Sequence, residues 1–280
     1  HFLSAQKYLK NLSVALLTGS TKKSERENII GKLSDGKIDL LIGTHALIED
    51  QVLFKELGLI IVDEQHRFGV DQRMKLRAKG NHPHVLSMTA TPIPRTLALT
   101  VFGDLDITSI RELPKGRPEI TTKIVRDSAR DTAYELVIQQ MKLGRQAYII
   151  YPLVAESEKM DLANAVQGAE ELANGVFKGF RVGLLHGRMK PQEKSDTMSA
   201  FKSGAIQVLV STTVVEVGVD VPNATVLMIE HAERFGLSQL HQLRGRIGRG
   251  TEKSFCLLMS AGGSELSYER MRAMEDTRDG

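Results

Sequence analysis

At 280 residues, 41% hydrophobic and 25% charged, the chain can bury one large core or two medium ones and lacks the bias of a disordered or fibrous protein. Its one cysteine, Cys256 in "SFCLLM", excludes an internal disulfide and a cysteine-based zinc cage, which fits a reducing, intracellular setting. The formal charge of +3 is too small to point to nucleic acid by itself; no apolar run approaches the roughly 20 residues that cross a bilayer, and the start "HFLSAQKYLK" lacks the order of a signal peptide, so a cytoplasmic protein without a membrane partner is expected.

Along the chain, short apolar runs rich in β-branched residues alternate with longer amphipathic ones, the pattern of βαβ units around a parallel sheet. "IDLLIG" (38–43), "LGLIIVD" (57–63) and "HVLSMT" (84–89) read as buried strands, with "SERENIIGKLSDG" as an intervening helix. A second series follows in "RQAYIIYPL" (145–153), the helical "DLANAVQGAEELANGVF", "FRVGLLHG" (180–187), "AIQVLVST" (205–212), "ATVLMIEHA" (224–232) and "KSFCLLMS" (253–260). Between them "ELPKGRPEITT" (112–122) carries two prolines, a glycine and no period, which suits an extended connector. The expected fold is therefore α/β, two parallel-sheet domains in tandem: 1–115, a linker at 116–122, and 123–280.

Ligands of parallel sheets gather at the carboxyl ends of strands. In "IIVDEQHRFGV" (60–70) such an end carries Asp63, able to hold Mg²⁺ through oxygen, and Glu64, able to orient and deprotonate a water. Two acids after a strand also suit the start of a helix, whose dipole favours them. Thr89-Ala90-Thr91 closes the next strand with hydroxyls that can reach His66 or a carboxylate, although threonines end ordinary strands as well.

In "HQLRGRIGRG" (241–250) arginines alternate with glycines after a helix expected to begin near Ser238. Arg246 and Arg249, three apart, are expected on one helix face, presenting guanidinium forks to phosphate oxygens; a solvated basic loop or nucleic-acid patch is the plainer reading. "VSTTVVEVGVDVPNA" (210–224) ends a strand in Ser211-Thr212-Thr213, hydroxyls suited to a phosphodiester backbone, and then reaches Asp220, suited to a ribose hydroxyl. An ordinary strand-to-helix crossover with polar caps explains that stretch too.

In this order, "DEQH", "TAT", "STTVVEVGVDVP" and "QLRGRIGR" resemble motifs II, III, V and VI of the superfamily 2 helicases, whose two RecA-like domains close on ATP. "DEQHRFGVDQR", "MTATPIPRTLALTVFGDLD", "YPLVAESEKMDL", "VGLLHGRMKPQEK" and "ERFGLSQLHQLRGRIGRG" are similar to the RecG-type branch-migrating DNA helicases over essentially the whole chain. The resemblance implies Asp63 as the Mg²⁺ site, Glu64 as the catalytic carboxylate, and Gln65 with His66 as the pair that senses hydrolysis. It places Gln242, Arg246 and Arg249 on the phosphates and Gly218 and Asp220 near the sugar. Gly19, Ser20, Thr44, His45, Gly187, Thr212 and Thr213 would line the DNA track. It further implies ATP and Mg²⁺ as cofactors, branched duplex DNA (forks and Holliday junctions) and single-strand-binding protein as partners, and a place at the bacterial nucleoid.

One expected element is absent. No Gly-x-x-x-x-Gly-Lys-Ser/Thr string occurs, and "TGSTKKS" (18–24) lacks both the second glycine and the spacing. The chain is thus expected to start beyond the phosphate-binding loop, to be an internal piece of a longer motor, and to hydrolyse little ATP alone. The transcription-repair coupling translocases share "TATPIPRTL", and a non-catalytic nucleic-acid-binding module with this fold accounts for the missing loop.

Overall fold

The computed structural model describes residues 1–64, 68–89, 106–108, 110, 118–153, 158–212 and 220–277. The chain divides into two compact units, His1–Ala90 and Thr91–Gly280.

The first unit runs α1 (Phe2–Tyr8), β1 (Val14–Leu17), α2 (Lys23–Ser34), β2 (Leu40–Gly43), a 3-10 turn (His45–Ile48), β3 (Leu59–Val62), α3 (Val70–Arg77) and β4 (His84–Ser87). β1 pairs parallel with β2, and β3 with β4. Gly43 permits the first pairing to end tightly, since an added Cβ would lie 2.1 Å from the carbonyl oxygen of Leu17. Leu17, Leu33, Ala46 and Val52 form the small core. Lys79 closes the unit by donating its Nζ to the carbonyls of Glu49 (2.7 Å) and Val52 (2.9 Å), a partly buried position that lowers the ammonium pKa. The β3–β4 pair buries Ile60 and Val62 on one side but leaves Leu59, Ile61, Leu86 and Met88 exposed.

The second unit holds one six-stranded parallel sheet in the order β5-β10-β9-β6-β8-β7. Its strands are β5 (Ile120–Arg126), β6 (Gln146–Tyr151), β7 (Val182–Leu185), β8 (Val208–Thr212), β9 (Ala224–Ile229) and β10 (Ser254–Ser260). Its helices are α4 (Arg130–Lys142), α5 (Glu158–Asn174), α6 (Pro191–Lys202), α7 (Leu237–Arg244) and α8 (Glu265–Asp276). Strand alternation sends neighbours to opposite faces. Ala147, Ile149, Val226, Met228 and Leu257 pack under α4 and α5, while Tyr148, Ile150, Leu227, Ile229 and Leu258 pack under α6, α7 and α8. Burying one such aliphatic side chain contributes about 1.5–3 kcal/mol, so this two-faced core is the molecule's main source of cohesion. Gln146, 2% exposed, satisfies its amide by donating to the carbonyls of Phe201 and Ile206.

One feature of the second unit differs from the sequence-based expectation. Residues 120–122, assigned to the connector because of their flanking prolines, begin the edge strand β5, held in parallel register by β10. In agreement with the expected second domain, Met271 and Met274 of α8 are buried in its core.

Candidate functional site

The apolar strand β3 delivers Asp63 and Glu64 just past its carboxyl end. Asp63 keeps its carboxylate half exposed, accepts from the Glu64 amide at 2.9 Å, and lies 3.1 Å from His1 Nε2. Glu64 adopts φ 51°, left-handed backbone that a non-glycine residue takes only at an energetic cost. His82 and His231 share this conformation, at φ 52° and 49°. Gln65 and His66 lie outside the described residues, as do Ala90 and Thr91 of the threonine pair, whereas Thr89 is within them.

The parallel register Leu17↔Gly43 brings two further expected segments together, Gly19-Ser20 after β1 and Thr44-His45 after β2, all four exposed. Arg26 of α2 links the two loops, donating to Thr18 O at 3.3 Å and to the Glu49 carboxylate. Gln51 and then Arg26 hold the Glu49 carboxyl below its ordinary pKa by hydrogen bonding. The His45 ring stacks on Phe68 at 4.9 Å, a contact that single-residue motif reading misses and that ties this hydroxyl cluster to the segment following the acidic pair.

In the second unit the register Leu185↔Ser211 brings the carboxyl ends of β7 and β8 together, with Gly187 two residues past the first and Thr212 closing the second. Gly187 is exposed, and its carbonyl accepts from Lys194 Nζ at 2.6 Å. Thr212, by contrast, is fully buried, so in this arrangement its hydroxyl offers no surface contact. Thr213 and Gly218 fall outside the described residues. His186, between strand and loop, has its pKa lowered by burial and then by Lys194 and Arg188.

The arginines are arranged differently from expectation. α7 ends at Arg244 with Gly245 as its cap, so Arg246 and Arg249 lie in the turn beyond the helix rather than on one of its faces. That turn sits at the amino ends of the strands: an added Cβ on Gly248 would lie 2.8 Å from Ile120, the first residue of β5, and one on Gly250 would lie 2.6 Å from Pro222 O, just ahead of β9. Arg249 donates its Nε to Gly245 O at 3.0 Å, and its Nη1 stands 3.5 Å from Asp220 Oδ1. Gln242 lies on α7. Arg244, the first arginine of the run, is structural: it is buried, and Nη1 donates to Met274 O and Thr277 O, both at 2.9 Å, capping the end of α8.

Residues 1–100 match the family model for DEAD/DEAH box helicases, and residues 129–251 that for the helicase conserved C-terminal domain. A solved Mycobacterium smegmatis helicase Lhr bound to ssDNA and AMP-PNP shares the fold, with a TM-score of 0.65 at 18% identity over 95% of this chain and 37% of its own. Two RecA-like α/β units bearing the acidic strand end and the arginine turn place the chain among the superfamily 2 helicases.

Within that class the chain belongs to the RecG type. It is 56% identical to the ATP-dependent DNA helicase RecG of Synechocystis sp. over 96% of its own length and 32% of the relative's. With the Bacillus subtilis protein of the same name identity is 55% over 96% and 40% of the two chains, and with that of Streptococcus pneumoniae 50% over 100% and 42%. A structure of RecG bound to a three-way DNA junction aligns with a TM-score of 0.77 at 46% identity, covering 99% of this chain and 36% of that one. The chain thus spans well under half of these relatives. Among the described residues no helix is long and apolar enough to cross a membrane.

Proposed function

We propose that this chain supplies the catalytic halves of an ATP-dependent DNA helicase that remodels forks and junctions. The observation that carries the reading is the 56% identity, across 96% of the chain, to a protein named as an ATP-dependent DNA helicase. In the complete protein, Asp63 and Glu64 serve ATP hydrolysis, and so do Gln242, Arg246 and Arg249. Glu64 orients the attacking water and takes its proton, while the guanidiniums donate to the phosphoryl oxygens as charge develops there. Gln65 and His66 relay the outcome.

An exposed carboxylate at a strand end suits Mg²⁺, which takes few protein ligands and the rest from phosphate and water. Among the described residues no group of three or more His, Cys, Asp or Glu could hold a metal ion, so the ion would arrive with the nucleotide, neutralising phosphate charge. Gly19, Ser20, Thr44, His45 and Gly187 are the DNA contacts, with Thr212 and Thr213 joining once the hydroxyl of Thr212 is uncovered. Such contacts are with the backbone and so are indifferent to sequence. Branched duplexes are the substrate, and single-strand-binding protein is a partner. Gly218 belongs to the nucleotide side.

In the full-length protein Glu64→Gln should retain ATP binding while DNA-stimulated turnover falls roughly a hundredfold or more. Turnover near the wild-type rate would remove Glu64 from the role given to it. Residues 1–280 alone, containing no Gly-x-x-x-x-Gly-Lys-Ser/Thr string, should hydrolyse little ATP.

A further inference from the structure

The turn bearing Arg249 is fixed at its backbone. Ile247 is fully buried in the core under α6, α7 and α8, and Gly248 turns the chain at φ 67° against Ile120. The close approach of Gly250 to Pro222 O then sets Arg249 beside Asp220, two residues ahead of that proline. The side chain is held at two points, Nε on the Gly245 carbonyl and Nη1 near the Asp220 carboxylate. Arg246, Arg249 and Asp220 all act on the Tyr148 hydroxyl, which burial pushes up to about 12, so the three charges share one locality.

We propose that Asp220 is a positioning residue, whose carboxylate orients the Arg249 guanidinium toward a phosphate. The inference rests on the proposed function, because it takes Arg249 to meet a phosphate. An ion pair with side chains 32% and 60% exposed contributes little to stability, so its value lies in orientation. Arginine is a long side chain with many rotamers. With Nε bonded to Gly245 O and Nη1 near the Asp220 carboxylate, the guanidinium keeps Nη donors for the end-on fork that a phosphate accepts.

The test is steady-state ATP turnover by the full-length protein on branched DNA, for Asp220→Ala, Asp220→Asn, Arg249→Lys and the double variant Asp220→Ala with Arg249→Lys. Asp220→Ala should lower kcat about tenfold, less than the hundredfold cost of a catalytic group displaced by about 1 Å. KM for ATP should change little, and so should the thermal midpoint. Asp220→Asn keeps an oxygen acceptor and should recover part of the loss. In the Arg249→Lys background, Asp220→Ala should add nothing, and the kcat/KM ratio of ATP to 2′-deoxy-ATP should stay at the wild-type value throughout. Independent, multiplying losses, or a collapse of that ratio, would overturn the inference. Arg249→Ala at wild-type turnover would instead defeat the phosphate role itself, and this inference with it.

Discussion

The two units are built from strands of similar sequence and differ in what covers them. In the second, both faces of the sheet are buried, one under α4 and α5 and the other under α6, α7 and α8. In the first, β3 is just as apolar, yet Leu59 and Ile61 remain 55% and 54% exposed and share an open face with Leu86 and Met88. Parallel sheets normally occur with both faces covered. The contrast teaches that apolar content marks a strand as made for burial, whereas the burial itself depends on what lies against it.

The sharpest way to break this comparison is to separate the units. A piece spanning residues 118–277 should unfold in a single urea transition, whereas residues 1–89 should bind a hydrophobic dye and unfold without cooperativity. A cooperative transition for the smaller piece would show that its open face costs it nothing. Next in size, Phe201→Ala removes a fully buried ring and should cost about 3–5 kcal/mol by urea titration. Leu59→Thr, on the open face, should stay within about 0.5 kcal/mol.

Arg244→Met leaves the Met274 and Thr277 carbonyls without their donor and should cost about 1–3 kcal/mol. Removal of a buried charge works in the opposite direction, so a neutral result would mean that this desolvation gain outweighs the lost cap. The smallest effect concerns pH. The folded His186 has a pKa below 6.5, so the unfolded chain binds the proton more readily and stability declines as pH falls through that value. His186→Gln should flatten this part of the slope when urea midpoints at about pH 7.5 and about pH 5.5 are compared.

Much of the architecture was legible because short continuous apolar runs leave a direct imprint: "ATVLMIEHA" contains β9 and "KSFCLLMS" contains β10. β5 was missed because "ITTKIVR" follows prolines and holds polar residues suited to a sheet edge, where only one neighbour strand is available. The place of the acidic pair was readable, since an apolar run that ends in two carboxylates marks the end of a strand. The helix expected beneath Arg246 and Arg249 stops at Arg244, and Gly248, in left-handed backbone at φ 67°, is the residue that turns the chain between the two arginines. Nor could one-letter code tell the buried, capping Arg244 from its two neighbours in the same turn. Their difference lies in which carbonyls come within reach after folding.

Cys256 has a practical consequence. It is fully buried, and burial pushes its thiol up to about 12, so almost none of it is thiolate at neutral pH and maleimides will pass it by. Being the sole cysteine, it need not be removed before new thiols are introduced. Dyes attached at exposed Leu3 and Met160, one on each unit, would then report by energy transfer how their separation changes as urea rises, on a background that stays dark.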